Sequence, residues 1–586
     1  MSQSANAVTR RTFLGGVAAG ILSAQEATAP AAPLVNPNIL VIIVDQMRFP
    51  TWLNAQQSQT YVSSVIPNIY KNIISKSVSF TQYYTAAAFC TPARSTLLTG
   101  LYAAQTAMFV TSDTSAPSLD PAFPTWGKAL PTLNPAYADR MWWFGKWHLS
   151  AFDPQSDPLA AYGFRTSQYP GPQAGSPNGW PNEGTDGGVF TEAGTYNGRT
   201  FASDAEIVDD FTSWAGAQAS SAPWCATVSL LNPHDIFRYP NWLNPTLYPQ
   251  LAASSLTDAH FPPPSEVRFP LYSGLPSPWN FEQPSPTGVK PPFQYSHWQF
   301  LNKISGQMTT DAAWVNMLNT YYGLMKAVDA QIGRVFAALP QAVLDNTVVI
   351  FLSDHGEHCG SHGQRGKGGG VYEESMHTPF YVRYPSVAAG KRAQLVSSVD
   401  LFGLICDLGT QGAGTWRTSN PDLVTRESIH KFIFNPAALE SHRLITVAGA
   451  KQPFILHTVD ENESVSATDT TMRNHIIGLR LKTTATQPGA KYATYSHWAS
   501  CTVQPDGTGV DEEFYDYGNT LLNKSELGNN ISTTDAASQA VLSAMRNALR
   551  SLVPRELNRP LVGSGLQAAL TAAQSRYFAY LGQCGV

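Results

Sequence analysis

Four apolar runs along the chain each end in polar or ionisable residues. Continuous runs of this kind, rich in Val and Ile, predict strands that are buried on both faces of a parallel sheet. Ligands of open α/β sheets bind at the carboxyl edge, so the pattern predicts a functional site where these strands end. The runs are NILVIIVDQ (38–46), RMWWFGKWHLS (140–150), WCATVSLLNPHD (224–235) and NTVVIFLSDHGE (346–357).

Helical spacing of apolar residues precedes the last of these runs. It extends from Met317 to Leu339 and leads directly into the strand that ends at Asp354. A helix followed by a buried strand is the order of a βαβ unit. The sequence therefore predicts an α/β fold, with a large mixed, mostly parallel central sheet flanked by helices.

The pattern changes after about residue 430. The segments NHIIGLRLKTTAT, AKYATYSHW and DEEFYDYG predict short antiparallel strands, and AASQAVLSAMRNALRSLV predicts a final amphipathic helix. We interpret 36–430 as a catalytic domain and 431–586 as a smaller C-terminal α+β subdomain with an antiparallel sheet and no ionisable cluster of its own. A Pro-rich belt over 261–293 and a Gly/Pro stretch over 169–188 predict long loops, which often form functional rims.

The composition and charge of the chain limit the kinds of partner that it is expected to bind. The chain has 586 residues, of which 43% are hydrophobic, and a formal charge of −5. Such a chain buries a large core and is expected to form more than one domain. Its charges are mixed, with no basic stripe, which argues against nucleic acid and against a polybasic membrane patch. No segment after the amino terminus is long and apolar enough to predict an integral membrane helix.

The amino terminus has the pattern of an export signal. Arg10 and Arg11 are followed by a short, weakly apolar stretch in TRRTFLGGVAAGILSA. We interpret 1–29 as a twin-arginine signal peptide, with a frayed basic start as the alternative. The interpretation implies the twin-arginine translocase as a partner and a periplasmic or secreted bacterial protein, folded before export.

Six cysteines lie at irregular spacing, which matches neither a zinc ribbon nor a dense disulfide framework. Cys225 and Cys406 lie in apolar runs and are expected to be small core residues. Cys501 and Cys584 are candidates for a disulfide. Cys90, in AAFCTPARSTLLTG, has three interpretations: a buried thiol, half of a disulfide, or a reactive centre.

Two strand ends offer the ligands of a hard cation. Asp45 with Gln46 and Asp354 with His355 each combine a carboxylate with a neutral donor. Carboxylate oxygens are the ligands that Ca²⁺ prefers. Because His355 would add a nitrogen ligand, Mn²⁺ is an alternative to Ca²⁺. The alternative is that these residues cap turns.

Cations and imidazoles at the other strand ends complete a candidate pocket. Lys146 and His148 follow one run, His234 follows another, and Lys367 lies in QRGKGGG. Together with Arg94 they would suit a tetrahedral oxyanion ester, because buried cations require an anionic partner. Alone, each lysine or histidine is often an ordinary surface or core residue.

The Cys90 segment resembles the signature of the type I, formylglycine-dependent sulfatases of the alkaline phosphatase superfamily. The family pattern Cys-X-Pro-X-Arg is matched by Cys90, Pro92 and Arg94, and STLLTG extends the match. Further blocks follow in the family's order, and the resemblance covers about 36–555. These blocks are NILVIIVDQ, GKWHLS, NPHD, YYGLMKAVDAQIGRVFAAL, NTVVIFLSDHGEHCGSHG, GKGGGVYEESMHTPF and EEFYDYGNTLLNKSELGNN.

The resemblance implies an alkaline-phosphatase-like fold and hydrolysis of sulfate monoesters to an alcohol or phenol and inorganic sulfate. It implies that a formylglycine-generating enzyme oxidises Cys90 to formylglycine (3-oxoalanine), whose geminal diol attacks sulfur and forms a sulfo-enzyme intermediate. Cys90 then joins the metal ligands Asp45, Gln46, Asp354 and His355 around Ca²⁺ or Mn²⁺.

The same resemblance implies roles for the polar residues of the pocket. Lys146, Lys367 and Arg94 hold the sulfuryl oxygens, and His234, with Lys367, protonates the leaving alcohol. His148 removes a proton from the second hydroxyl, which releases sulfate and restores the aldehyde. The substrate is a small-molecule or carbohydrate sulfate ester whose alcohol half the sequence leaves open.

Departures from the commonest family pattern keep other functions open. Gln46 stands where many sulfatases have a second acid, and the later pair ends in His355. This combination is similar to phosphonate monoester hydrolases and to some choline sulfatases, so a phosphonate monoester or phosphodiester hydrolase is the alternative enzyme. A catalytically silent protein that binds sulfated glycans is the alternative outside enzymes. His377 lies where family members often have arginine.

Overall fold

The computed structural model describes twelve stretches of the chain. The predicted signal peptide over 1–29, the stretch 169–188 and Cys584 lie outside them. The described residues are 32–111, 117–150, 159–166, 195–196, 199–200, 203–221, 223–240, 268–276, 282–461, 473–484, 489–517 and 526–582.

Strands in the described residues form an eight-stranded sheet, a five-stranded sheet and a two-stranded ribbon. The eight-stranded sheet contains β1 to β4 and β7 to β10, the ribbon β5 and β6, and the five-stranded sheet β11 to β15. In chain order they are β1 Asn38–Val44, β2 Val78–Tyr84, β3 Met141–Gly145, β4 Arg165–Thr166, β5 Thr195–Tyr196, β6 Arg199–Thr200, β7 Cys225–Leu230, β8 Thr347–Ser353, β9 Phe380–Arg383, β10 Gly390–Ser397, β11 Leu444–Val447, β12 Ala450–Val459, β13 His475–Leu481, β14 Ala490–Ser496 and β15 Asp511–Asp516.

Helices cover both faces of the large sheet. The α-helices are α1 Ala55–Thr60, α2 Pro67–Asn72, α3 Cys90–Thr99, α4 Trp126–Leu133, α5 Ser203–Gln218, α6 Pro292–Ser305, α7 Asp311–Ala337, α8 Gln341–Leu344, α9 Glu373–Met376, α10 Leu401–Gly409, α11 Trp416–Ser419, α12 Ile429–Phe434, α13 Ala536–Leu552 and α14 Leu566–Tyr580. Two π-helical turns, Tyr61–Val65 and Val553–Leu557, extend α1 and α13. Short 3₁₀ turns are Ile74–Lys76, Ala103–Gln105, Pro135–Tyr137, Ala160–Tyr162, His234–Arg238, Ser361–Gly363, Ser398–Asp400, Pro421–Leu423 and Asn530–Ser532.

The large sheet is mixed and mostly parallel, which confirms the predicted fold class. Its strand order is β10-β2-β9-β8-β1-β7-β3-β4, and β9 alone runs antiparallel to its neighbours. The four predicted apolar runs form the adjacent parallel strands β8, β1, β7 and β3. Their carboxyl ends therefore meet at one edge of the sheet, as the sequence predicts.

Side chains of β1 alternate between two hydrophobic cores. Ile39, Val41 and Ile43 pack into one core, while Leu40 and Val44 pack into the core on the other face. A period of two residues is the geometry of a strand. Because both faces are covered, every residue of β1 is buried, which explains the continuous apolar run.

Helix α7 is longer than its apolar pattern predicts. It begins at Asp311 and ends at Ala337, whereas the pattern runs from Met317 to Leu339. The hydroxyl of Thr310 accepts a hydrogen bond from the Ala313 N–H and caps the first turn. The helix does not lead directly into β8 as expected, because the short helix α8 lies between them.

The C-terminal segments form the predicted antiparallel sheet, in the order β11-β12-β13-β14-β15. The helix predicted near its end is α13, but it is not the closing element, because α14 follows it. Ala569, Leu570, Ala573 and Tyr577 of α14 are buried at helical spacing. The predicted boundary at 430 falls within α12 and stays a prediction.

The expectation that this subdomain lacks an ionisable cluster is wrong. Arg480 on β13 and Lys491 on β14 are register partners, and both are buried. Glu373, the first residue of α9, accepts from Arg480 at 2.8 Å and pairs with Lys491 at 3.1 Å. Glu526 also pairs with Lys491, at 2.7 Å. Strand pairing brings these residues together from distant parts of the sequence, so no local sequence pattern predicts the cluster.

The cysteines agree with the predictions that the described residues can test. Cys225 and Cys406 are free and buried in the core, as are Cys90 and Cys359. Cys501 is disulfide-bonded. In the described part of the chain, no helix combines the length and the hydrophobicity that crossing a bilayer requires.

A buried ion pair joins the part of the chain that forms the large sheet to the C-terminal sheet. Arg443, just before β11, donates to both carboxylate oxygens of Asp400, at 2.5 and 2.6 Å. We expect Arg443→Ala to lower the free energy of unfolding by about 3–5 kcal/mol, because it leaves a buried carboxylate unpaired. Chemical denaturation measures the change. The control is Arg473→Ala, whose partly exposed pair with Asp511 contributes about 0–1 kcal/mol; equal losses would contradict the prediction.

Candidate active site

Side chains from four neighbouring strand ends meet in one buried cluster. The parallel registers align Val44 at the end of β1 with Leu230 of β7 and Ser353 of β8. The residues that follow the strands are therefore close in space. They are Asp45 and Gln46 after β1, Asp354 and His355 after β8, His234 after β7, and Lys146 and His148 after β3.

Gly145 allows β3 to end close against β7. Its φ is +87°, and a Cβ at this position would lie 2.2 Å from the carbonyl oxygen of Ser229. Only glycine fits such a close approach. The next residue, Lys146, donates its N–H to that same carbonyl and places Nζ 2.7 Å from Asp45 Oδ2.

Cys90 is the first residue of the fully buried helix α3. Its Sγ lies 3.2 Å from His355 Nε2, 3.7 Å from Lys146 Nζ and 3.9 Å from Asp45 Oδ1. Burial alone would raise the pKa of the thiol, but Lys146, Lys367 and His355 lower it well below its ordinary value. The N-terminal end of α3 favours negative charge in the same sense. This setting distinguishes Cys90 from a passive core thiol.

The donor set fits a divalent cation. Ligand atoms of Asp45, Cys90, Asp354 and His355 all lie within 4.8 Å of one another, and all four residues are buried. His355 Nδ1 lies 3.1 Å from the Gly356 carbonyl, which assigns the proton to Nδ1. Nε2 faces the same point as the carboxylates and lies 3.4 Å from Asp45 Oδ1. Two carboxylates and one imidazole facing a common point are the ligands that Ca²⁺ or Mn²⁺ accepts.

Arg94 binds the carboxylates of the site. Its Nε donates to Asp354 Oδ2 at 3.0 Å, and one terminal nitrogen donates to Asp45 Oδ2 at 3.1 Å. The other terminal nitrogen donates to the Lys146 carbonyl and to Ser229 Oγ, at 2.8 and 2.9 Å. The guanidinium therefore positions the ligand carboxylates, whereas the sequence assigns it to the sulfuryl oxygens. That second role stays a prediction.

Gln46 connects Lys367 to Glu357, a residue that the sequence reasoning missed. The Gln46 carboxamide accepts from Lys367 Nζ at 2.9 Å and donates to Glu357 at 2.5 Å. Glu357 also accepts from the backbone N–H groups of Cys359 and Gly366. It thus fixes both ends of the loop that carries Lys367. Its position three residues after Asp354 was the available signal. Whether Gln46 also binds the cation stays a prediction.

Both candidate histidines lie beside Cys90. Burial and the neighbouring Lys146 lower the pKa of His148, while a hydrogen bond to Cys90 raises it. Burial, Lys367 and Lys146 lower the pKa of His234 to about 4, against the opposing charge of Asp45. Both imidazoles are therefore neutral near pH 7 before an anionic ligand enters, and they can accept protons.

His377 does not belong to this cluster. Its ring stacks between Phe49 and Tyr84, with centroids 4.1 and 4.7 Å away, and Nε2 lies 3.1 Å from the Thr81 carbonyl. The residue that replaces the family's usual arginine is thus part of the packing between β2 and the loop after β1.

The profile of the sulfatase family matches residues 37–410, which is more than half of the chain. The chain belongs to the sulfatase family. The matched segment contains every residue of the cluster described above.

Curated relatives agree with this assignment. The chain is 27% identical over 362 residues to an uncharacterized sulfatase, YidJ, of Escherichia coli, a match covering 56% of this chain and 60% of that protein. It is 25% identical over 408 residues to an ulvan-active sulfatase of Formosa agariphila, covering 68% of this chain and 65% of that protein. The chain therefore spans less than two thirds of the length of these relatives.

Solved structures share the fold. A 2-O GAG sulfatase, BT1596, is similar with a TM-score of 0.58 and 18% identity, over 89% of this chain and 92% of that one. The phosphonate monoester hydrolase of Agrobacterium radiobacter is similar with a TM-score of 0.54 and 21% identity, over 89% and 96%. At these identities the likeness establishes the fold alone.

We expect Asp354→Asn to lower the affinity for Ca²⁺ and Mn²⁺ by about 100-fold or more, because it removes an anionic ligand. Metal content per chain after dialysis, measured by plasma mass spectrometry, checks this. The matched control is Asp329→Asn, a buried carboxylate that accepts from Asn68 and Ile69, outside the cluster. Equal metal content in both variants would contradict the assignment.

Proposed function

We propose that this protein is a sulfuric ester hydrolase that releases inorganic sulfate from sulfate monoesters. The observation that carries the proposal is Cys90, at the start of α3, facing the carboxylates and cations of four strand ends. Such a site combines a nucleophile position, a cation site and positive charge for an anionic ester. Membership of the sulfatase family supports the same reaction.

The nucleophile of this proposal is a formylglycine made from Cys90 by a formylglycine-generating enzyme. Its hydrated aldehyde supplies a hydroxyl that attacks sulfur and a second hydroxyl whose deprotonation expels the sulfate and restores the aldehyde. The divalent cation, Ca²⁺ or Mn²⁺, would be held by Asp45, Asp354 and His355, with position 90 and Gln46 as further ligands, and would lower the pKa of the attacking hydroxyl.

The surrounding residues divide the remaining tasks. Lys146 and Lys367 are buried cations that can hold the sulfuryl oxygens, and Arg94 orients the carboxylates behind them. His148, neutral before the ester binds, can accept the proton of the second hydroxyl. His234, with Lys367, would protonate the leaving alcohol, and an anionic ester bound beside this imidazole would raise its low pKa.

Export and maturation complete the proposal. Arg10 and Arg11 indicate the twin-arginine translocase, which carries folded proteins. Oxidation of Cys90 and metal loading would then precede export to the periplasm or beyond. The substrate would be a small-molecule or carbohydrate sulfate ester; ulvan-active and GAG sulfatases among the similar proteins are consistent with a carbohydrate.

The alternative is hydrolysis of phosphonate monoesters or phosphodiesters at the same formylglycine. The observation in its favour is the neutral Gln46, which reduces the negative charge around the cation, together with His355 as the later ligand. The similar fold of a phosphonate monoester hydrolase is consistent with it. Lys146 and His148 favour the sulfatase, because they suit the release of sulfate from the diol.

We expect peptide mass spectrometry of protein purified from a bacterial host that makes formylglycine to show the aldehyde at position 90. Cys225, equally buried but in an apolar strand, should remain a thiol in the same sample. An unmodified thiol at position 90 in active protein would contradict the proposed mechanism.

We expect kcat/KM for 4-nitrophenyl sulfate to exceed that for 4-nitrophenyl phenylphosphonate, measured side by side. Cys90→Ala should lower kcat for the sulfate by about 10⁴-fold or more, because it removes the nucleophile. Cys225→Ala is the control for loss of a buried thiol. Preference for the phosphonate would select the alternative enzyme. Weak activity that is unchanged in Cys90→Ala would indicate a contaminating enzyme and would favour the catalytically silent glycan-binding protein.

A further inference from the structure

Strand β12 of the C-terminal sheet pairs with the segment that leads to Cys90. Thr458 on β12 pairs in parallel with Ala87, and its N–H donates to the Ala86 carbonyl at 2.9 Å. His457 Nδ1 lies 2.8 Å from the Thr85 carbonyl. Cys90 follows this parallel pair by three residues on one segment, and Glu461 follows it by three residues on the other. The pairing thus brings a carboxylate of the C-terminal part towards the segment that contains Cys90.

The side chain of Glu461 is fixed through one of its two oxygens. Oε2 accepts from the N–H and from the hydroxyl of Thr111, at 2.6 and 3.0 Å. Burial raises the pKa of this carboxyl to about 7, Cys90 adds to the rise, and Lys367 opposes it. These two effects agree with the strand pairing, which brings Glu461 towards the Cys90 segment. Among the described residues, Thr111 contacts Oε2, which leaves Oε1 to bind a group beside that segment.

The charges and aromatic rings near Glu461 indicate what its carboxylate would bind. Lys146 and Lys367 serve the sulfuryl group, so a carboxylate beside them disfavours a second anionic group on the same substrate. In the described part of the chain, the ring of Phe109 near Thr111 is covered, because it packs against Trp498 and Tyr577, with centroids 4.7 and 4.8 Å away. Recognition by a hydrogen bond is therefore better supported here than recognition by stacking.

We infer that Glu461 is a specificity-determining residue that accepts a hydrogen bond from a hydroxyl or ammonium group on the alcohol half of the sulfate ester. The inference rests on the proposed sulfatase function. Glu461 would then favour sulfate monoesters of neutral polyols or of amino alcohols. It would disfavour sulfate esters with an apolar alcohol half and esters that carry further negative charges. A hydrogen bond to a carboxylate changes binding by about tenfold or more.

The test uses two matched substrate pairs with the metal-loaded, formylglycine-bearing enzyme. Inositol monosulfate against cyclohexyl sulfate tests the hydroxyl donor, and 2-aminoethyl sulfate against propyl sulfate tests the ammonium donor. In at least one pair we expect kcat/KM to favour the donor-bearing member by about tenfold or more. Glu461→Gln should lower that ratio by about tenfold, and the responding pair identifies the donor.

The matched control is Glu512→Gln. Glu512 lies on β15, at the far edge of the sheet from β12, and pairs with Arg546 at 2.7 Å. Its loss should leave both ratios unchanged, and unfolding midpoints confirm that both variants fold. The inference is wrong if Glu461→Gln leaves the kcat/KM ratios unchanged, or if both variants lower them equally. Neither result would contradict the proposed function. Failure of the wild-type enzyme to hydrolyse any sulfate ester overturns both.

Discussion

Two buried carboxylates at neighbouring strand ends constrain the whole site. Asp45 and Asp354 repel each other, and burial away from water makes each charge more costly. Arg94 lies between them and donates to both, with its remaining donors on the Lys146 carbonyl and Ser229. A planar guanidinium can satisfy several acceptors in fixed directions, which a lysine cannot. Both carboxylates are thereby paired and oriented, and the cation site, the placement of Lys146 and the setting of Cys90 all depend on this arrangement.

The strands and their terminal residues could be predicted because their signals are local. A strand covered on both faces must be apolar throughout, and the chain can become polar only where it leaves the sheet, as at Asp45 and Asp354. Parallel strands share a carboxyl edge, so the convergence of those residues follows from topology alone. The partners of Arg94 and the link from Glu357 through Gln46 to Lys367 depend on side-chain geometry across distant segments, and the sequence does not encode them locally. The same holds for Arg480 and Lys491, which meet only through strand register.

Gln46 shows how one substitution changes the electrostatics of the pocket. A carboxylate at this position would pair with Lys367 and partly neutralise it, whereas the carboxamide orients the ammonium without cancelling its charge. Glu357 accepts a hydrogen bond from the amide nitrogen of Gln46, so the acidic group of this network lies on Glu357 and not on residue 46. The result is a metal site with less negative charge and a lysine with more positive charge available to an anionic ester. This distribution suits a monoanionic ester, a class that includes both the sulfate monoesters of the proposed function and the phosphonate monoesters of its alternative.

The C-terminal subdomain is attached to the catalytic part where it can act on the reaction. Glu373 ties the loop after Lys367 to Arg480 and Lys491, and β12 pairs with the segment that leads to Cys90. Both contacts are buried, so movement of the small sheet would disturb the segment after Lys367 and the segment before Cys90. Under the proposed function, the residues that act on the ester and the wall that meets its alcohol half would therefore be mechanically linked. Because the strand ends would supply the chemistry and the attached sheet the neighbouring wall, substitutions in the C-terminal part would change the accepted alcohol while leaving the cluster around Cys90 in place.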